Sequence, residues 1–151
     1  SNLARFGANL INEVEVRCTM NIFGYRNAAG CLVMNEDKIL LLRRSIHETS
    51  NHGMYELPGG KPDGDETMVQ TAIKETYEES GLNVKIIRTL EPHIDSDMKK
   101  VYHGFMAIVE GDDEVILSEE HDDYRWVSIR DAMKMDAPLS HHAMFMFNQV
   151  V

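Results

Sequence analysis

Apolar and polar residues alternate in the first part of the chain in the way that is typical of β-strands. From Val14 to Ile22 every second residue is apolar, which predicts a half-buried strand. Two short apolar runs follow, Cys31 to Met34 and Ile39 to Leu42, with a polar turn of four residues between them. Such runs around a short polar turn predict a β-hairpin.

A helical pattern replaces this alternation after residue 65. Asp65 is predicted to cap the start of the helix, and Gly81 is predicted to end it in a left-handed conformation. The predicted core-facing stripe follows the helical spacing and consists of Val69, Ala72, Ile73, Thr76 and Tyr77. Three glutamates are predicted to lie on the side of the helix opposite this stripe, namely Glu75, Glu78 and Glu79.

The second half of the chain adds further strands and two helices. Strands are predicted from Val84 to Leu90, from Val101 to Val109 and from Tyr124 to Ser128. A helix is predicted from about residue 128 to residue 136, and a last helix after Pro138. This order of strands and helices predicts an α/β protein with a mixed central sheet and helices on both faces.

Composition limits the classes of protein that need to be considered. The 151 residues are enough for one domain with its own core, and we expect a single domain over residues 1–151. The net charge of −10 argues against a duplex nucleic acid as partner. A small phosphate ligand is compatible with this charge, because bound metal ions reverse the local sign of a site.

Membrane and redox features predict a cytoplasmic protein. The sequence has no apolar run near the roughly 20 residues that a membrane-spanning helix needs, and no secretory pattern at its start. Its two cysteines, Cys18 and Cys31, lie in strand-like apolar stretches and are predicted to be buried, reduced thiols.

The three glutamates of the first helix are the main candidate for chemistry. Positions i, i+3 and i+4 share one helix face, so Glu75, Glu78 and Glu79 would repel one another unless a cation lies between them. Hard divalent cations with oxygen ligands, Mg²⁺ above all, suit such a group. A solvated acidic helix face is the alternative for the glutamates alone.

The segment around these glutamates resembles the Nudix box. It runs from Gly60 to Leu82 and reads GKPDGDETMVQTAIKETYEESGL. The box positions that match are Gly60, Glu66, Glu75, Glu78, Glu79, Gly81 and Leu82. Two positions depart from the pattern: Lys74 replaces the family's arginine, and Thr76 replaces an apolar residue. The preceding run from Glu56 to Lys61 also resembles the family's lead-in to the box.

The resemblance implies a Nudix fold, an α/β/α sandwich, and a metal-dependent hydrolysis of a pyrophosphate bond. It implies that the metal ligands are Glu75, Glu78, Glu79 and the backbone carbonyl of Gly60. The cofactor would be Mg²⁺, with Mn²⁺ as the alternative. Glu66 is expected to support the loop and helix. Lys74 would keep the positive charge that orients the ligand glutamates, but it lacks the planar fork of an arginine.

A further carboxylate is expected on a loop after the box. The segment from Ser118 to Val127 resembles the loop and strand in which the family often carries it. Glu120 is the candidate for an additional metal ligand or the general base, with Glu119 as second choice, and His121 is interpreted as a neighbour. An acidic surface loop is the alternative.

Substrate contacts are predicted from charged and aromatic residues outside the box. Arg43 and Arg44 end the second hairpin strand in a way that is similar to MutT-like members, and Arg44 is favoured as the phosphate contact. Tyr55 and Trp126 are candidates for stacking on a base, with core packing as the alternative. The partner is therefore expected to be a small nucleotide, and the protein a monomer or a homodimer.

Three functions agree with the resemblance. The leading one is cleavage of a nucleoside triphosphate, which includes damaged or noncanonical ones, to monophosphate and pyrophosphate. The second is a pyrophosphatase for ADP-ribose, a nucleotide sugar or a dinucleoside polyphosphate. Met98 occupies the place of the proline typical of ADP-ribose members, whereas Tyr102 lies near the place of a tyrosine in dinucleoside polyphosphate members. The third is a nucleotide-binding module without catalysis.

Overall fold

The computed structural model describes residues 24–151, in which eight strands and three helices are found. The strands are β1 Arg26–Asn35, β2 Lys38–Arg44, β3 Tyr55–Glu56, β4 Gly59–Gly60, β5 Val84–Thr89, β6 His93–Asp95, β7 Lys100–Val109 and β8 His121–Val127. The helices are α1 Met68–Ser80, α2 Ile129–Met133 and α3 His141–Asn148. The strand predicted from Val14 to Ile22, with Cys18, lies outside the described residues.

The strands form one mixed sheet, as the pattern predicts. Its central path is β3-β2-β1-β7-β5, and β8 pairs with β2, β4 with β1 and β6 with β7. Strands β1 and β7 are parallel, and the other pairs are antiparallel. The predicted hairpin is confirmed as β1 and β2, which join at the Asn35–Lys38 pair with Glu36 in a left-handed conformation at φ 58°.

Both faces of the sheet are buried, which confirms the α/β/α sandwich. Alternate residues of a strand point to opposite faces, so β1 and β2 each contribute to two cores. One core combines Ala28, Leu32, Ile39 and Leu41 with Ala143, Met146 and Phe147 of α3. The other combines Ala29, Cys31, Val33, Leu40 and Leu42 with Met68 and Ala72 of α1. Helix α1, which carries the box glutamates, is thus fixed against the sheet.

Cys31 is a buried free thiol, as predicted. Its Sγ donates to the carbonyl oxygen of Ala72 at 3.6 Å, and burial raises the pKa of the thiol to about 11. The residue therefore stays neutral and acts as a small apolar side chain between β1 and α1.

Helix α1 begins later than the sequence pattern predicts. Its N-cap is Thr67, whose hydroxyl accepts a hydrogen bond from the backbone N–H of Gln70 at 3.0 Å. The Gln70 side chain accepts one in return from the backbone N–H of Thr67 at 2.9 Å. The prediction that Asp65 caps the helix is therefore wrong, because this reciprocal capping box fixes the start two residues later. Gly81 ends the helix at φ 75°, as predicted.

Removing this cap gives a direct test of the helix start. Thr67→Ala is expected to lower the free energy of unfolding by about 1 kcal/mol, because the N–H of Gln70 loses its acceptor. Thr67→Ser is the matched control and should retain wild-type stability, since it keeps the hydroxyl. Urea unfolding followed by circular dichroism measures both variants. Equal losses in both would show that the methyl group of Thr67, and not its hydroxyl, matters.

The buried face of α1 is rotated relative to the predicted stripe. Ala72 and Thr76 are buried as predicted, and Val69 and Ile73 are half-buried against the second core. Tyr77 is 55% exposed and Glu79 only 4% exposed, so the predictions for these two residues are wrong. The polar residues Thr76 and Ser80 can be buried because their hydroxyls donate to the carbonyls of the preceding turn. Their burial turns Glu79 towards the sheet.

Candidate functional site

Three separate segments meet at the carboxyl group of Glu79. The backbone N–H of Gly59 in β4 donates to Glu79 Oε1 at 2.7 Å. Strand β4 is held in place by its pairing with β1, where Gly59 faces Gly30 and Gly60 faces Ala29. The third segment is the turn before β8, which brings the carboxyl group of Glu120 to that of Glu79. The sheet, α1 and this turn therefore define one site.

The environment of Glu79 favours its neutral form in the absence of a cation. Burial is the main cause, and the hydrogen bond with Glu120 adds to it, so that the pKa of Glu79 rises to about 10. A carboxyl group that holds a proton at neutral pH for want of compensating charge is well suited to exchange that proton for a metal ion.

Glu75 lies against the glycine pair. A Cβ atom on Gly60 would lie 2.5 Å from the Glu75 carboxyl carbon and 2.8 Å from each of its oxygens. Only glycine therefore allows this carboxylate to pack directly on the backbone. Burial, and then the charge of Glu78, raise the pKa of Glu75. Glu78 itself is exposed, so the three glutamates differ in depth although they follow one another on the same helix.

Lys74 bonds mainly to the loop that precedes α1. Its ammonium group donates to Asp63 Oδ2 at 2.6 Å and to Glu66 Oε1 at 2.9 Å, and it lies 4.0 Å from Glu75 Oε1. Glu66 Oε1 also accepts from the backbone N–H of Asp63 at 2.8 Å, and this bond, followed by the one from Lys74, lowers the pKa of Glu66. Glu66 and Lys74 thus hold the loop to the helix, beside Glu75.

The acidic turn before β8 contributes Glu120 and His121. Ligand atoms of Glu79, Glu120 and His121 all lie within 4.8 Å of one another. Glu119 and Glu120 both line an open cleft of about 580 Å³, which extends along Ser45, His47, Glu48 and Asp122. Of the two candidate carboxylates, Glu120 is the one that the structure places at Glu79.

The two arginines at the end of β2 have different environments. The Nε of Arg43 donates to Asp122 Oδ1 at 2.7 Å in an exposed ion pair. Arg44 is more buried and donates from Nε to the carbonyl of Ser50 at 3.0 Å, with Glu48 and Glu56 each 3.6 Å away. The pairing of β2 with β8 changes register between Arg43 and Arg44, at a β-bulge.

The aromatic candidates are largely part of the core. Tyr55 is 1% exposed, its hydroxyl donates to Asp123 Oδ2 at 2.6 Å, and the Arg125 guanidinium lies 4.7 Å from the centre of its ring. The expectation that Tyr55 stacks on a base does not fit this position, because its ring has no accessible face. Trp126 is half-buried against the second core, which leaves part of its ring exposed.

The donor set of the site fits a divalent cation. It brings carboxyl oxygens of Glu79 and Glu120 within 4.8 Å of each other, and Glu75 lies against the neighbouring glycine pair. Glu75 and Glu78 do not belong to the group of ligand atoms at this spacing. Oxygen donors of this kind are the ligands that Mg²⁺ and Mn²⁺ accept. The feature that most favours a cation here is the burial of the Glu79 carboxyl group beside that of Glu120, because a positive ion would compensate both charges.

Comparison with known proteins agrees with this arrangement. The model of the NUDIX domain matches residues 24–146, which is nearly the whole of the described chain. The chain belongs to the NUDIX domain family. The resemblance stated from the Nudix box is thereby confirmed, with MutT proteins among the structural relatives.

Individual relatives resemble this Nudix protein over different lengths. The MutT protein from Methanosarcina mazei Go1 has 28% identity and a TM-score of 0.70, with 83% of this chain and 91% of that chain covered. The Caenorhabditis elegans Ap4A hydrolase has 28% identity and a TM-score of 0.61, with 71% of this chain and 83% of that chain covered. Nudix hydrolase 3 of C. elegans is 44% identical over 55 residues, and these span 36% of this chain but only 23% of that protein.

Two contacts of this Nudix site were missed from the sequence. His121 is buried between Glu56 and the Glu79–Glu120 pair, although the sequence identified it only as a neighbour. Glu56, which was noted only as part of the lead-in to the box, lies between Arg44 and His121. The alternation along β8 could have indicated that His121 faces inward, but the start of that strand was placed at Tyr124, three residues too late.

Proposed function

We propose that this Nudix protein is a metal-dependent pyrophosphohydrolase that cleaves a nucleoside diphosphate linked to another group. In the leading form of the proposal the substrate is a nucleoside triphosphate, canonical or noncanonical, and the products are a monophosphate and pyrophosphate. Membership in the NUDIX domain family supports a hydrolase that acts on pyrophosphate bonds. The likeness to a MutT protein supports the triphosphate.

The observation that carries the proposal is the buried carboxyl group of Glu79 between the Gly59 N–H and Glu120. A carboxyl group is costly to bury without compensation, so its retention beside two further box glutamates indicates a bound cation. Its neighbours Glu120 and His121 line a cleft of about 580 Å³, which has room for a small phosphate ligand.

The chain's own residues suit hydrolysis in the following roles. Glu75, Glu78, Glu79 and the carbonyl of Gly60 would hold the metal. When bound, a divalent ion neutralises phosphate oxygens and lowers the pKa of a bound water. Glu120, an exposed carboxylate beside Glu79, would accept the proton of the attacking water. The water oxygen then bonds to phosphorus, and the anhydride P–O bond breaks with its electron pair on the departing phosphate.

Positioning of the substrate would come from basic and aromatic groups outside the box. Arg44 is the proposed phosphate contact, because Arg43 is already paired with Asp122. Displacement of the weaker 3.6 Å contacts of Arg44 with Glu48 and Glu56 would free its guanidinium for a phosphate. Trp126, which keeps an exposed part, stays the aromatic candidate for contact with a base.

A panel of nucleotides tests the proposal. The protein is incubated with Mg²⁺ or Mn²⁺ and with nucleoside triphosphates, ADP-ribose, nucleotide sugars and dinucleoside polyphosphates, in water enriched in ¹⁸O. Mass spectrometry then identifies the products and shows which phosphorus acquired the label. We expect at least one nucleoside diphosphate derivative to be cleaved, and cleavage to stop when EDTA removes the metal.

The same panel separates the alternatives. Cleavage of dinucleoside polyphosphates in preference to triphosphates would favour the second function, which the likeness to an Ap4A hydrolase supports. Tyr102 does not support it, because that residue is 6% exposed with its ring stacked on His142. Binding of a nucleotide without any product, with both metals present, would replace the proposal by a binding module.

Location and assembly also stay proposals. Within residues 24–151 no helix has the length and apolar character that crossing a membrane requires. A cytoplasmic protein of one domain, monomeric or homodimeric, agrees with a small nucleotide as its substrate.

A further inference from the structure

His121 is a buried histidine whose polar atoms have no hydrogen bond. Its side chain is 0% exposed, and neither ring nitrogen has a hydrogen-bond partner among the described residues. The nearest charged oxygen outside the acidic pair is Glu56 Oε2, 3.7 Å from Nε2. Buried polar atoms are nearly always paired, so an imidazole left in this state at the edge of a cleft indicates a missing ligand.

The position of His121 identifies the kind of ligand. One of its nitrogens and carboxyl oxygens of Glu79 and Glu120 all lie within 4.8 Å of one another. Ligands bound to a first-row metal ion at about 2.1 Å are roughly 3 to 4 Å apart, so a small closure of the three groups would complete a coordination site. Glu79 Oε1 accepts from Gly59, and the ion would replace the proton that Glu79 shares with Glu120. Glu120 would bind the ion through one carboxyl oxygen and keep the other as the proton acceptor.

We propose that His121 supplies a nitrogen ligand to a metal site formed with Glu79 and Glu120, and that this site prefers Mn²⁺ or a similar transition ion to Mg²⁺. The inference rests on the proposed function, because it specifies a metal for the same cleft. It adds a ligand, and a metal preference, that the glutamates of the box do not by themselves provide.

The preference follows from the chemistry of the donors. Carboxylates alone accept Mg²⁺ readily, whereas an imidazole nitrogen binds Mn²⁺, Fe²⁺, Co²⁺ and Zn²⁺ better than it binds Mg²⁺. Glu56 Oε2 lies 3.7 Å from Nε2 of the same ring and adds a further negative charge beside the group. The cleft gives an ion access to the three groups, since Glu120 and His121 line it.

Electron spin echo spectroscopy of bound Mn²⁺ tests the ligand directly and needs no substrate. The full chain is loaded with one equivalent of Mn²⁺, and modulation from a directly bound ¹⁴N is expected. The modulation should change to the ¹⁵N pattern when the protein is made with ¹⁵N-histidine, and it should disappear in His121→Gln. His141→Gln, which alters an exposed histidine at the start of α3, is the matched control and should keep it.

Calorimetry of metal binding provides the second readout. His121→Gln is expected to raise the Kd for Mn²⁺ at least about 10-fold, and to change that for Mg²⁺ much less. His121→Asn serves in the same way if the glutamine variant does not fold. Absence of nitrogen modulation in the wild-type protein, or its persistence in a folded His121 variant, overturns the inference.

The outcomes keep this inference apart from the proposed function. If nitrogen modulation is seen but no nucleotide is cleaved, the His121 metal site is supported and the pyrophosphohydrolase proposal is contradicted. If nucleotides are cleaved but the bound Mn²⁺ shows no nitrogen modulation, the hydrolase proposal is supported and the ligand role of His121 is contradicted.

Discussion

Replacing Glu79 by Gln is expected to lower kcat/KM about 10³-fold while the metal-free fold stays as stable as the wild type at neutral pH, or becomes more stable. Loss of one metal-binding carboxylate removes several kcal/mol of stabilisation from a charged transition state. Glutamine resembles the neutral carboxylic acid in shape, and burial already keeps Glu79 neutral without metal. Activity assays with Mg²⁺ and unfolding in EDTA measure the two effects separately.

The pH dependence of stability follows from the same residue. The pKa of Glu79 rises from an ordinary 4.5 to about 10 on folding, so between these pH values the folded state binds more protons than the unfolded state. Stability of the metal-free protein should therefore fall as pH rises through this window. Urea unfolding in EDTA at about pH 6 and about pH 9 should show this fall in the wild type and a smaller one in Glu79→Gln.

Two controls isolate the buried position of Glu79. Glu78→Gln is expected to lose activity as well, because it removes another proposed ligand. It keeps the buried carboxyl group of Glu79, so its stability should still fall more between about pH 6 and about pH 9 than that of Glu79→Gln. Glu110→Gln, an exposed glutamate outside the site, should change neither property. Full activity in Glu79→Gln would contradict its assignment as a metal ligand.

Gly60→Ala is expected to lower kcat/KM about 100-fold and to retain the fold. Gly60 does not have a left-handed backbone, so alanine is conformationally acceptable there. The added Cβ would lie 2.5 Å from the carboxyl carbon of Glu75, and the flexible side chain of Glu75 would have to move away. A displacement of about 1 Å at a catalytic group typically costs this much activity.

The neighbouring glycine provides the contrast. A Cβ atom on Gly59 would meet the backbone itself, at 2.6 Å from the carbonyl oxygen of Ala29 and 2.8 Å from the Cα of Gly30. Gly59→Ala should therefore lower the free energy of unfolding by about 3 kcal/mol, because the backbone of β1 cannot move away without breaking its pairing with β4. Thermal unfolding and activity of both variants distinguish them. Equal stability losses would show that Gly60 is also a packing position.

The parts of the fold that could be predicted from the sequence are those that depend on local spacing. The hairpin of β1 and β2 and the C-terminal Gly81 of α1 follow from short patterns that the structure keeps. The helix start was predicted wrongly because the cap at Asp65 was judged by residue type alone. The pair Thr67 and Gln70 has the spacing of a capping box, and this signal was present in the sequence.

The parts that could not be predicted depend on contacts between distant segments. Burial of Glu79 results from β4 and the turn before β8, which are 20 and more than 40 residues away along the chain. Tyr55 is buried because a short strand places it in the core. Its hydroxyl donates to Asp123 there, and the guanidinium of Arg125 lies over its ring. Helical periodicity describes one element at a time and cannot show such neighbours.

The segment that connects β7 to β8 is attached to the end of helix α1 at two points. The backbone N–H of Ile116 donates to the carbonyl of Ser80 at 2.9 Å, and that of Ser118 donates to the carbonyl of Glu79 at 3.4 Å. Residues 116–121 are therefore in fixed register with the end of the helix, whereas residues 110–114 are exposed. Over evolutionary time, insertions and deletions should be accepted between residues 110 and 114 and rejected between 116 and 121. A change in length there would separate Glu120 from Glu79.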